Sequence, residues 1–129
     1  MSKHLNIGKV IAVAEALKST HRFRVGCAIM AGRREQSRGR NSYKTHPAAF
    51  RRGKTHAEHS ALIKAHKHAL DGSTLFVARI TKAHTLAIAK PCNRCMELIL
   101  AKGIRDIVYS VADGWEEIRI NKTDSFMEK

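Results

Sequence analysis

The sequence predicts an α/β fold, a three-layer α-β-α sandwich, because segments of helical apolar spacing alternate with short, continuous apolar runs. Chain-stopping signals separate them: Gly32-Arg33, Asp71-Gly72 and Gly103 each follow such a segment, and Pro91 precedes one. Ile7, Val10, Ile11, Ala14 and Leu17 recur at helical spacing, which predicts an amphipathic helix over residues 4–19 with those side chains on its buried face. Val25–Ala31 is a short apolar run of the kind that forms a buried strand. Gly32-Arg33 turns it into a second strand ending near Asn41. Ser42–Thr55 is polar and basic, holds one of the two prolines, and reads as a long loop.

A second helix follows, with Ala61, Leu62, Ala65 and Ala69 on one face and Asp71-Gly72 closing it. Leu75–Ile80 is a strand. Thr81–Lys90 is a connection without a clear assignment, strand-like at Leu86–Ala89. Pro91 suits the first turn of a third helix running to Lys102, with Gly103 as its C-terminal cap. Ile107–Val111 is a strand, and the tail from Trp115 is read as a helix of weak amphipathic pattern. No repeat, low-complexity tract or linker interrupts the 129 residues, so residues 1–129 are expected to form one domain.

The longest apolar runs, such as Ile11–Leu17, are far too short to cross a bilayer, and the first residues lack a signal-peptide core. A cytoplasmic protein with no membrane partner is expected. Lys and Arg outnumber Asp and Glu by 24 to 11, a balance suited to anionic substrates or polyanionic partners. The excess is local. Arg33, Arg34, Arg38, Arg40, Lys44, Arg51, Arg52 and Lys54 face a single acid, Glu35, between residues 33 and 54. That segment is either a solvated surface or a groove for nucleic acid.

Three cysteines cannot all pair, and Cys92 and Cys95 form a Cys-x-x-Cys, which in a chain without an export signal indicates metal or redox chemistry. Cys27, inside an apolar run, reads as a core residue. His56-Ala57-Glu58 opens the second helix and Pro91-Cys92-Asn93-Arg94-Cys95 opens the third, with one strand between to set the two helix starts side by side. One imidazole and two thiolates suit Zn²⁺ and leave its fourth tetrahedral position open for water, which then ionises near neutral pH instead of near a pKa of about 15.7. Glu58, two residues beyond His56, is placed to shuttle protons without binding metal.

These motifs resemble those of the CMP/dCMP deaminase family in the cytidine deaminase-like superfamily, whose signature is H-x-E…P-C-x-x-C. The resemblance runs from about Val25 to Ser110 and includes Gly39-Arg40-Asn41 and Gly103–Tyr109. It implies a central mixed sheet, zinc held by His56, Cys92 and Cys95, Glu58 as proton shuttle, and Asn41 contacting the substrate sugar. The implied reaction is hydrolytic loss of ammonia from a cytosine ring, with a dCMP- or CMP-like nucleotide as substrate and a homo-oligomer as assembly. The chain departs from the simplest pattern in the ten residues Thr81–Lys90, where many relatives pass almost directly into Pro-Cys.

Plainer readings stand beside these. Thr55-His56-Ala57-Glu58 is also a capping box, worth about 1 kcal/mol to a helix start; the downstream Pro-Cys-x-x-Cys favours catalysis. Cys92 and Cys95 could be half of a closed structural zinc site, but no second ligand pair completes one cleanly. Asn41 could be a strand-end turn residue. Two other functions compete with the nucleotide deaminase: a deaminase acting on bases in single-stranded DNA or RNA, including tRNA, and a non-catalytic zinc module binding nucleic acid. Seven aromatic residues are few for the stacking platforms that single strands use.

Overall fold

The computed structural model describes residues 3–19, 24–41, 57, 61, 72–91 and 93–119. Helix α1 (Lys3–Lys18) leads into β1 (Arg24–Ala31) and β2 (Arg34–Arg40). Then come β3 (Thr74–Ile80), the two-residue β4 (Leu86–Ala87), helix α2 (Asn93–Ala101), β5 (Asp106–Val111) and β6 (Gly114–Arg119). The strands form one mixed sheet in the order β2-β1-β3-β5-β6, with β4 also on β3. Among the described strands only the β3–β5 pair is parallel, and helix α2 supplies the crossover such a pair requires. No helix among the described residues is long and apolar enough to cross a membrane.

Alternation along the strands divides the core between two faces. Ala28, Met30, Phe76, Ala78 and Val108 pack with Ala12 of α1. Cys27, Ile29, Leu75, Val77, Ile107 and Tyr109 pack with Cys95 and Ile99 of α2 and with Ala57 and Ala61, both helical. Helices therefore lie on both sides of the sheet, as predicted.

The face that α1 buries is not the predicted one. Gly8, Ala12, Glu15, Ala16 and Ser19 are buried, whereas Ile7, Val10 and Leu17 are exposed, Val10 at 66%. Close approach is the reason. A methyl group on Gly26 of β1 would collide with the Ala12 carbonyl and the Ala16 amide, and one on Gly8 with the Phe76 ring. Such a seam accepts only small side chains, so Ile7, Val10 and Leu17 face outward while Ile11 packs half-buried at its flank.

The tail from Trp115 is a strand, not a helix. Val111 pairs with Gly114 across a two-residue turn, and β6 then runs antiparallel to β5 as far as Asp106–Arg119. Trp115 packs toward the α1 layer and Ile118 toward the α2 layer, which a strand allows and a single helix stripe does not.

Thr81–Lys90 forms a hairpin extension. The turn is fixed by Thr81 N–H to the Thr85 carbonyl at 2.9 Å and by Thr81 Oγ1, which accepts from the amides of Ala83 and Thr85 at 3.2 Å. Strand β4 then returns beside β3, where Ala87 pairs with Arg79. The buried Ser110 hydroxyl joins three strands: it accepts from the Arg79 amide at 3.0 Å and donates to the Ala87 carbonyl at 2.6 Å. With Ala89 N–H bonded to the Ser110 carbonyl at 3.0 Å, the chain is delivered to Pro91.

Candidate active site

Helix α2 orients the site. Its C-terminal end is tied to the start of β3: Gly103, at φ 81°, bonds back to the Leu100 carbonyl, and its own carbonyl accepts from Gly72. Its N-terminal end therefore lies at the far edge of the sheet, where β3 and β5 finish, the usual position for ligands in sheets of this kind. Cys95 sits in the first turn of α2, fully buried, one helical turn before Ile99. Unsatisfied amides and the partial positive charge of a helix start favour a thiolate there.

Ala57 shares the Cys95 cluster. It is the middle residue of His56-Ala57-Glu58. The Ser37 hydroxyl of β2 donates to the Ala61 carbonyl at 2.8 Å, anchoring this helical position to the sheet edge. His56, Glu58 and Cys92 lie outside the described residues, and the groups found among the described residues include no set of three metal-ligating side chains. A buried thiol at a helix start, clustered with the centre of the His-x-Glu motif, has the chemistry expected of one ligand of such a set.

Asn41 follows β2 at this same edge and is buried. Its amide bonds to the Val25 carbonyl at 3.1 Å, and its side-chain Oδ1 accepts from Val25 N–H at 3.0 Å and from the Ser19 hydroxyl at 2.7 Å. The Val25 donor fixes which end of the carboxamide is oxygen. Asn41 thus joins α1, β1 and β2 at the edge where α2 begins.

The described part of the basic segment is not aimed at this site. Arg33 and Arg34 lie at the β1–β2 turn, six residues of β2 below Arg40, or about 20 Å at roughly 3.3 Å per residue. Arg40 and Arg38 turn to the α1 layer, where Glu15, with a side chain only 3% exposed, meets Arg40 at 3.2 Å, Arg38 at 3.8 Å and Lys18 at 3.3 Å. Arg38 also pairs with Glu35 and, by that hydrogen bond first, holds its carboxyl below the ordinary value. A nucleic-acid groove drawn from sequence position alone is unsupported here; Lys44, Arg51, Arg52 and Lys54 fall outside the described residues. Sequence reading missed both Glu15 and Ser110. A lone acid among the alanines of a helix was the available signal for the first.

A three-layer sandwich in which a buried helix-start cysteine clusters with Ala57, the centre of a His-x-Glu motif, fits the class of zinc deaminase folds. The chain belongs to the family described as the cytidine and deoxycytidylate deaminase zinc-binding region, whose model matches residues 3–111. Its fold is similar to that of the dCMP deaminase of cyanophage S-TIM5, at 23% identity over 84% of each chain with a TM-score of 0.65. It is also similar to that of cytidine deaminase from Burkholderia pseudomallei, at 18% identity over 92% of this chain and 93% of that one, TM-score 0.68. A third similar structure is the diaminohydroxyphosphoribosylaminopyrimidine deaminase/5-amino-6-(5-phosphoribosylamino)uracil reductase of Thermotoga maritima, at 25% identity, TM-score 0.54, covering 82% of this chain and 30% of that one. Comparison with curated proteins returns no match.

Proposed function

We propose that the chain, acting as one catalytic unit over residues 1–129 in the cytoplasm, hydrolyses a cytosine nucleotide of the dCMP or CMP type to its uracil counterpart and ammonia. The observation that carries this reading is the shared buried cluster of Cys95 and Ala57, which draws together the two halves of the zinc deaminase signature. Membership in the deaminase family supports it, as does the cyanophage enzyme of similar fold, solved with dCMP and dUMP.

His56, Cys92 and Cys95 would hold zinc, which when bound supplies water acidified enough to attack the ring. Glu58 would accept a proton from the attacking water and deliver it to the departing amino nitrogen, so that one water is consumed and one ammonia released. Asn41, whose oxygen is committed to Val25 and Ser19, is assigned the contact to the substrate sugar that the family resemblance implies.

A panel of cytosine base, nucleosides, nucleotides and oligonucleotides, scored for ammonia, tests the substrate. Glu58→Ala should abolish release while retaining about one zinc per chain. Full turnover in that variant would remove Glu58 from the chemistry, and loss of zinc with it would make the residue a structural cap.

A further inference from the structure

We propose that Ser19 is a positioning residue for the sugar contact, its hydroxyl holding the Asn41 carboxamide in one orientation, an assignment that rests on the nucleotide deaminase reading above. Both residues are buried, and they come from different layers of the fold. Ser19 directly follows α1, its amide bonded back to the Ala16 carbonyl at 3.1 Å, while Asn41 directly follows β2. The Ser19 hydroxyl lies 2.7 Å from Asn41 Oδ1 and 3.0 Å from the Asn41 main-chain oxygen. Both of those atoms are acceptors, so the hydroxyl is the donor and its hydrogen is directed at this one residue.

The two ends of a carboxamide are nearly equal in size, so its neighbours must decide which way round it sits. Turned over here, Asn41 would set its NH2 group against the Val25 amide and the Ser19 hydroxyl, where each now finds an acceptor. The bonds to Val25, 3.0 Å to its amide and 3.1 Å from the Asn41 amide to its carbonyl, extend the pairing with β1 and need no help from α1. A second donor from the helix layer adds orientation rather than strand pairing. Its origin is fixed, because the α1 backbone at Ala12 and Ala16 packs directly on Gly26 of β1. Removing the hydroxyl therefore loosens the carboxamide while the strand pairing that carries Asn41 stays in place.

Titration of the zinc-loaded full chain with dUMP, beside kcat and KM for dCMP, tests the assignment. Ser19→Ala should weaken dUMP about fivefold to tenfold and raise KM by a similar factor, with kcat within about twofold, as for a contact made equally in ground and transition states. Ser19→Thr keeps the hydroxyl and should recover most of the affinity. Ser19→Cys, close in size but only a weak donor, covers the case in which the alanine variant fails to fold. In an Asn41→Ala background Ser19→Ala should have no further effect on dUMP, because no carboxamide is left to hold. Equal weakening with and without the Asn41 side chain would overturn the proposal and make Ser19 a structural end to α1. It also fails if Ser19→Ala lowers kcat alone, if Asn41→Ala leaves dUMP affinity unchanged, or if the unmodified chain does not bind dUMP. Coupling of Ser19 and Asn41 in dUMP binding without ammonia release from dCMP would instead sink the deaminase reading and leave the positioning role standing.

Discussion

The Tyr109 ring is buried while its hydroxyl reaches the exposed Glu116, donating at 2.9 Å. That bond, then burial, then the charge of Glu116 raise the phenol above its ordinary pKa. The folded state thus holds the proton more tightly than the unfolded chain. The resulting stabilisation is complete below pH about 10, the unfolded tyrosine value, and is lost as pH rises through the raised one. Tyr109→Phe should therefore flatten the alkaline decline of the urea midpoint; parallel declines in the two proteins would show the bond to be without effect. Ser110→Ala leaves the junction of β3, β4 and β5 without its hydroxyl and should cost about 1–3 kcal/mol by urea unfolding. At this scale the cysteines and the His-x-Glu motif are legible in sequence because ligand chemistry admits few residue types. Ser110 and Glu15 are not, since the partners of Ser110 lie 23–31 residues away along the chain and the arginine partners of Glu15 lie 23–25 away.

Helix α1 shows where an element's pattern and its packing part. Helical spacing locates it to within a residue of Lys3–Lys18, but the same spacing selects the wrong face. Apolar periodicity assumes that the core accepts large side chains, and Gly26 opposite Ala12 and Ala16 does not. Gly26→Ala should accordingly cost several kcal/mol, since the obstacle is helix backbone and cannot rotate away. Val10→Lys on the exposed stripe should change stability by no more than about 0.5 kcal/mol in the same assay. A cost near that of Gly26→Ala would place Val10 in a contact and restore the sequence-based face. Strand β6 failed for a related reason: pairing with β5 satisfies its backbone, and a partner strand leaves no mark on the segment itself.

Across the whole molecule, net charge and its placement are separate matters. The formal charge of +13 should give salt-sensitive, sequence-independent binding to single-stranded DNA. Replacing Arg33 and Arg34 by Ala should lower the salt slope by about 1.4 and leave deamination untouched, because that turn is at the opposite end of the sheet from the start of α2. Impaired turnover in the double variant would relocate the site. Stripping zinc with a chelator should lower the melting temperature and its restoration should raise it, as for any ligand that binds only the folded chain.

The sequence alone determined the residue chemistry and the order of most helices and strands, because metal ligands, apolar period and glycine or proline stops are local properties. Tertiary structure decided which side of α1 is inside, that the chain from Gly114 pairs as a strand, and that half of the basic segment faces away from the α2 start. Each of those depends on what lies opposite a residue, and the partners in question, Gly26, Tyr109 and Glu15, belong to other elements.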